Sequence, residues 1–404
     1  MKIRNQRQIN VYALFVGLLL ICGCEAGNNK THKQWVGEAN DRWHEMRSGM
    51  MLQMATQQFE TGDLDIAAKT INEAMRIDQK NDGLSLLAGR VSLEKGQLER
   101  AYHWFNHTVD LNDKNADAYY YRGVVQQRWK QYDEAELSYK QAYDSQRDNP
   151  SYLLALSEMI VQQDRVDEAA ELLEGKLVYF DQVAGLRSTL GHIYRLKRDH
   201  NEAAWYFEKA SMLDPENMKL IEEVAVSQIS AKKYSKSIHT LDMLLRNESY
   251  KDRTDIKRLL AESYYQSGRY EQSRQAYLDL TRMREVKAGD WVKLGDIAWM
   301  KGDLGGSLTA ATRVMKMDPE RHDGYLLAGM VWQKRGELER ALKNFDRAAE
   351  LAPGDAVPCI LRGISLQRTG RTSAAIAAYE EALRRKPRDE RALKLLQTLV
   401  PTGY

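Results

Sequence analysis

The sequence predicts an all-α protein built as one array of repeated helix pairs, on three observations. A small residue recurs every 34 positions at Ala67, Ala101, Ala135, Ala169, Ala203 and Ser237, slips by two, and recurs at Ser273, Ser307, Ala341 and Ala375. Four residues after it stands a large apolar side chain (Ile71, Phe105, Tyr139, Leu173, Phe207, Leu241, Tyr277, Phe345, Tyr379), so the two share a helix face; Ala311 is the exception. Glycines keep two offsets: Gly89, Gly123, Gly191, Gly295, Gly329 and Gly363 lie 12 before the small residue, and Gly62, Gly96, Gly268, Gly302, Gly336 and Gly370 lie five before it.

The elements of one unit follow from these marks. The first glycine position lets two helices cross closely, although glycine inside a helix costs about 1 kcal/mol. The second marks the turn between the helices. Pro215, Pro319, Pro353 and Pro387, 12 after the small residue, close the unit because proline has no backbone N–H to continue a helix. Pro150, Pro358 and Pro401 also avoid helix interiors. Ten units fit, at 48–81, 82–115, 116–149, 150–183, 184–217, 218–251, 254–287, 288–321, 322–355 and 356–389. In units four and six, Ser157 and Ala225 replace the first glycine, and Lys176 falls where a small residue is usual, which predicts irregular packing there.

The pattern resembles the tetratricopeptide repeat, most clearly in "GYLLAGMVWQKRGELERALKNFDRAAELAP" and "CILRGISLQRTGRTSAAIAAYEEALRRKP". The resemblance implies a right-handed superhelical solenoid of about ten helix–turn–helix repeats over 48–389. Residues 390–404 then supply a capping helix, "ERALKLLQTLV", and a tail.

The N-terminus has a different character. Lys2, Arg4 and Arg7 precede the apolar run Val11–Cys22, which is too short to span a bilayer and has the layout of a signal peptide over 1–23. Leu20-Ile21-Cys22-Gly23-Cys24 resembles the bacterial lipobox, which implies cleavage before Cys24, its lipidation and a membrane anchor. Glu25 after Cys24 favours the outer membrane, facing the periplasm. Residues 24–47 are read as a polar tether and a short helix over Trp35, Ala39, Trp43 and Met46. That helix either caps the array or meets a membrane or partner.

Composition narrows the function. At 43% hydrophobic and 29% charged, the chain reads as a soluble helical protein. Removing the three N-terminal bases from 59 leaves 56 against 57 acids, so no bulk positive charge seeks nucleic acid. Charge is uneven: unit four carries seven acids and two bases, whereas 356–404 carries nine bases and four acids. Neither a catalytic motif nor a cofactor loop is present, and the His103/His107 pair has no third ligand for a metal. Cys359 reads as a buried, inert thiol. The chain is therefore read as a non-enzyme with no cofactor and no metal.

In the resembling family the first helices line a concave groove. Carried over by position, the groove comprises Arg90, Tyr120, Arg128, His192, Arg195, Arg258, Glu262, Tyr265, Asp296, Trp299, Lys334 and Arg368. Repeats seven and eight are its expected hot spot, because aromatics and arginine anchor protein interfaces. Trp299 is equally readable as a packing residue. No repeat carries the lysine and asparagine of a chaperone carboxylate clamp. The expected function is a membrane-tethered scaffold that binds proteins or peptides during pilus, secretin or exopolysaccharide-type assembly or secretion. The alternative is an adaptor that delivers substrates to a periplasmic protease or peptidoglycan hydrolase.

Overall fold

Helix pairs at the expected spacing fill the chain. The structure, a computed structural model, describes residues 31–400, and among these residues it holds 21 helices and no strand. The signal-peptide segment, Cys24, the first part of the tether and residues 401–404 lie outside the described residues. None of the described helices is long and apolar enough to cross a membrane. The chain divides into two compact units, Met1–Phe180 and Asp181–Tyr404.

The first unit contains α1 (His32–Glu60) with α2 (Leu64–Met75), α3 (Asp82–Glu94) with α4 (Leu98–Leu111), α5 (Ala116–Arg128) with α6 (Tyr132–Ser145), and α7 (Pro150–Gln162) with α8 (Val166–Glu174). The second unit contains α9 (Ala184–Leu196) with α10 (His200–Leu213), α11 (Met218–Ser230) with α12 (Tyr234–Leu245), and α13 (Thr254–Gln266) with α14 (Tyr270–Thr281). It continues with α15 (Ala288–Met300) and α16 (Leu304–Met317), α17 (His322–Arg335) and α18 (Leu338–Leu351), and α19 (Val357–Arg368) and α20 (Thr372–Arg385). The last helix, α21 (Glu390–Leu399), follows alone.

Local chemistry sets these boundaries. Asn81, Asn115 and Asn217 each end a repeat, and their side chains accept from the backbone N–H of Leu84 (3.1 Å), Ala118 (3.0 Å) and Leu220 (3.2 Å). Each thereby satisfies a donor that the helix itself leaves open. Within a pair, the turn passes through one left-handed residue. Glycine fills it in six repeats, but Lys130, Asp164, Arg198 and Lys232 adopt it at φ 61°, 61°, 61° and 58°. The turn persists without glycine there because the flanking helices dictate the backbone path.

The core repeats one contact. Ala67, Ala101, Ala135, Ala169 and Ala203 are buried, and Phe105, Tyr139, Phe207, Phe345 and Tyr379 are fully buried beside them. Each of those five rings lies against the glycine of its own repeat. A Cβ on Gly123 would sit 2.8 Å from Tyr139, and one on Gly191 would sit 2.8 Å from Phe207. Where the ring is replaced by leucine, at Leu173 and Leu241, the glycine position holds Ser157 and Ala225. Repeat eight solves the problem differently. Ala311 leaves the ring space empty, and Leu327 of the next repeat reaches the face of Gly295 instead.

Two regions depart from regularity. Helix α8 has nine residues where α4 and α6 have 14, and the chain turns after Gly175 with the Lys176 ammonium 5.9 Å from the Tyr143 ring. The expected short helix over Trp35–Met46 is instead the beginning of a single 29-residue helix that runs unbroken into repeat one. Its Trp35, Trp43 and Met46 are exposed, so they do not cap the array. The physical reason is that 31–60 contains no proline, and Ser48 at the junction of the two expected segments hydrogen-bonds through its hydroxyl to the Glu45 carbonyl and to Asp78 instead of capping a new helix start.

At the other end, α21 covers the last pair. Ala392 is buried in a cluster with Ala349, Cys359, Ile360 and Ala382, and Asp389 accepts from the Ala392 N–H at 3.1 Å. Cys359 is fully buried there. Burial, with the Glu381 carboxylate nearby, pushes its thiol up to about 11 and so keeps it protonated and unreactive.

Candidate first-helix binding face

Polar side chains on and just before the first helices bond to the first helix of the neighbouring repeat, 31 to 35 residues away. In the first unit, the Gln127 amide donates to Glu158 at 3.2 Å, and the Tyr152 hydroxyl donates to Asp117 at 2.7 Å. In the second, Arg253 forks onto Glu222 at 2.6 and 2.8 Å. Each contact ties one repeat to the next, so stacking itself consumes much of the face's charge.

The groove residues of the first unit divide accordingly. Arg90 places its guanidinium 4.7 Å from the Phe59 ring and 5.4 Å from the Tyr121 ring, bridging three repeats. Tyr120 stands in an aromatic cluster, 5.3 Å from Tyr152 and 5.5 Å from Tyr139 between ring centroids. Arg128 is exposed and makes no hydrogen bond, ion pair or ring contact among the described residues. It is the open cation of this unit's face. His103 and His107 flank the Trp104 ring at 5.7 and 6.0 Å.

In the second unit, the His192 ring packs edge-on to Phe207 at 4.9 Å, and its Nδ1 lies 2.7 Å from Arg195 Nη2. Burial, followed by the Arg195 charge, draws the imidazole below its usual value. A neutral ring is thus the acceptor of the arginine. Arg195 also pairs with Glu223.

The expected hot spot in repeats seven and eight is bonded internally, side chain to side chain. Arg258 grips Asp290 through Nε at 2.7 Å and Nη2 at 3.1 Å, and the Asp290 carboxylate is buried. Glu262 accepts from Tyr277 Oη at 2.8 Å, Gln266 at 2.6 Å and Lys293 at 3.1 Å. Burial alone would raise the Glu262 carboxyl, but these three donors outweigh it and hold it below the ordinary range. The Lys293 ammonium also lies 4.4 Å from the Tyr265 ring centroid. A cleft of about 490 Å³ opens beside this network, lined by Leu259, Tyr277, Gly289 and the charged pairs. Trp299 is half-buried against the Ala311–Leu327–Ala328 cluster, so the structure assigns it packing between repeats eight and nine. Lys334 and Arg368 are exposed; Arg368 donates to the Gln333 carbonyl at 3.3 Å.

Asp296 differs from its neighbours. No hydrogen bond or ion pair reaches it among the described residues. Burial above all, with Asp323 and Glu262 nearby, pushes its carboxyl up to about 6 against the pull of Lys293. The ordinary value is 3.8, so between about pH 4 and 6 the folded chain holds a proton that the unfolded chain has released. Its contribution to stability is present below that window and lost as pH rises through 6. Asp296→Asn is therefore expected to raise stability at pH 7.5 by on the order of 1 kcal/mol, because solvent screens part of the charge. The same substitution should change little at pH 4. Equal effects on urea midpoints at both pH values would refute the assignment.

Asp290, Lys293 and Tyr277 were not candidates from sequence, although they organise this region. They stand at repeat positions that are usually apolar or solvated. For Asp290 and Lys293 the only sequence signal is the spacing of 32 and 31 to opposite charges on the preceding first helix, whereas Tyr277 was visible only as a periodic core ring. A second cleft, of about 540 Å³, lies among α10, α11 and α12, bordered by Met212, Val224, His239 and Met243. It too had no sequence signature.

Sequence models of the tetratricopeptide repeat match residues 130–176, 184–217, 292–356 and 360–396. The chain carries tetratricopeptide repeats over these stretches, and arrays of such repeats are protein-interaction scaffolds. A tetratricopeptide-repeat protein of Treponema pallidum is 25% identical over 182 residues, covering 41% of this chain and 22% of its own. One from Methanocaldococcus jannaschii is 21% identical over 300 residues, covering 71% of this chain and 47% of its own. The chain thus spans less than half the length of these curated relatives. Among solved structures, the C-terminal part of a Cytophaga hutchinsonii tetratricopeptide protein aligns at a TM-score of 0.47 and 13% identity, covering 60% of this chain and 99% of that one. Yeast Tom70 aligns at 0.41 and 14% identity, covering 88% of each chain.

Proposed function

We propose that the protein is a membrane-tethered, non-enzymatic scaffold of the bacterial envelope that holds segments of other proteins on its first-helix faces during assembly or secretion. The carrying observation is the lipobox-like Leu20–Cys24 placed directly ahead of an array of tetratricopeptide repeats. A lipid anchor confines a scaffold to a surface, where a modest affinity suffices because the local concentration of partners is high. The open groups on the two faces, Arg128 and half-buried Tyr120 in one unit and Lys334 in the other, are the contacts offered to a partner.

Two measurements in intact cells test the reading. Cys24→Ala is expected to release the protein from the membrane fraction, and retention there would refute the tether. A photo-crosslinking residue at Arg128 or Lys334 is expected to capture a subunit of a pilus, secretin or polysaccharide-export apparatus. Capture of a protease or peptidoglycan hydrolase instead would make the protein an adaptor.

A further inference from the structure

Helix α1 has two apolar faces. One packs inward: Ala55 is buried with Ile71, Leu87 and Ala88, and Leu52 and Phe59 lean on that cluster. The other carries Trp35, Trp43, Met46, Met50 and Met54 at 55, 50, 67, 68 and 48% exposure. With Ala39, these residues follow one another in steps of three and four, within about 100° of the helix circumference and along about 28 Å of its length.

The repeat frame says what such a face is for. Met50 and Met54 hold the third and seventh positions of repeat one. In later repeats those positions are covered by the second helix of the preceding pair. Leu220 and Val224 pack on Ala203, Phe207 and Ala210; Leu294 packs on Tyr277 and Leu280; Ala88 packs on Ala67 and Ile71. The outward face of α1 is thus a stacking surface, extended by Trp35, Ala39, Trp43 and Met46 beyond the repeat.

We infer that a second copy of this chain occupies it, through an antiparallel α1–α1 pair. In that register Trp43 faces Met46 of the second copy, Ala39 faces Met50 and Trp35 faces Met54, so each indole meets a flexible thioether. The seam is self-complementary, as a two-fold interface requires. The exposed side chains offer roughly 700 Å² per copy, and the roughly 1,400 Å² buried by a pair is within the range of specific interfaces. Residues 31–54 carry three acids and three bases, so the face has no net charge to draw it to anionic lipid. The far end of the array carries α21, whose outer side mixes Arg391 and Lys394 with Leu393 and Val400 at 39 and 46% exposure, a smaller and more charged surface than α1 offers for head-to-tail stacking. The inference is independent of the tether and of any groove ligand.

Sedimentation equilibrium of the full chain in detergent, with and without Met46→Glu/Met50→Glu, tests it. Wild type is expected at twice the chain mass, and the double variant at the single-chain mass with unchanged helicity and melting. Its dimer dissociation constant should rise by at least about a hundredfold, because each copy brings charge into the seam. As a second readout, Met46→Cys should form an intermolecular disulfide on mild oxidation, whereas Ser373→Cys on exposed α20 should not. A monomeric wild type, whether or not phosphatidylglycerol vesicles bind it, or a dimer untouched by the two glutamates, would overturn the inference.

Discussion

Arg258→Ala is expected to destabilise the second unit by about 3–5 kcal/mol, the cost of leaving a buried carboxylate without its partner. The Asp290 side chain is buried, and Arg258 supplies two of its hydrogen bonds, with the Lys287 N–H adding a third at 2.9 Å. Other repeats place Leu84, Ala118, Leu186, Leu220 or Ile256 at the position of Asp290. Arg258→Leu combined with Asp290→Leu should therefore recover most of the loss, since replacing both members of a buried pair by apolar groups is often neutral. The array opens locally as well as globally, so amide exchange in α13 and α15 is the sensitive readout, with urea midpoints beside it. If the single variant leaves exchange unchanged, Arg258 is free to serve a ligand after all.

Phe207→Ala should cost a comparable amount, about 3–5 kcal/mol, by emptying a ring-sized space in a close-packed core. Gly191→Ala probes the same contact from the other side. Helix propensity would favour alanine by about 1 kcal/mol, yet the new Cβ would lie 2.8 Å from three atoms of the Phe207 ring. Packing should outweigh propensity and leave the variant about 1–2 kcal/mol less stable. The combination Gly191→Ala/Phe207→Leu reproduces the Ala225/Leu241 arrangement of the following repeat and is expected to be more stable than Phe207→Ala. Thermal and urea melts of the four proteins decide it. Repeat seven bounds the effect, since Ala261 there coexists with a buried Tyr277.

Both predictions concern features that differ in how far the sequence disclosed them. The glycine–ring pair was visible as two periodic marks 16 residues apart. Only the structure showed that they touch, which explains why Ser157 and Ala225 stand in the glycine position where Leu173 and Leu241 replace the ring. The Arg258–Asp290 pair was half visible. Arg258 stood out as a groove position, but its partner lay 32 residues on, at a position with no family signature. The groove reading treated each first helix as facing a ligand, whereas stacked helices face one another first. Arg90, Arg195, Glu262 and Trp299 accordingly hold repeats together, while Arg128, Lys334 and the unpaired Asp296 are left open.

Sequence alone determined the all-α class, the count of helix pairs, the starts of nearly all first helices and the closing helix after Asp389. These depend on local rules that repeat: small and large residues on one face, asparagine or proline at the ends, and a turn at a fixed offset. Tertiary structure alone decided that Lys130, Asp164, Arg198 and Lys232 take the left-handed turn, that Leu327 fills the space left by Ala311, and that Trp43, Met46, Met50 and Met54 on the outward face of α1 are exposed among the described residues. Each of these outcomes depends on what a neighbouring element imposes or fails to cover. A periodic pattern records the residues an element carries, but only stacking settles which of them remain available.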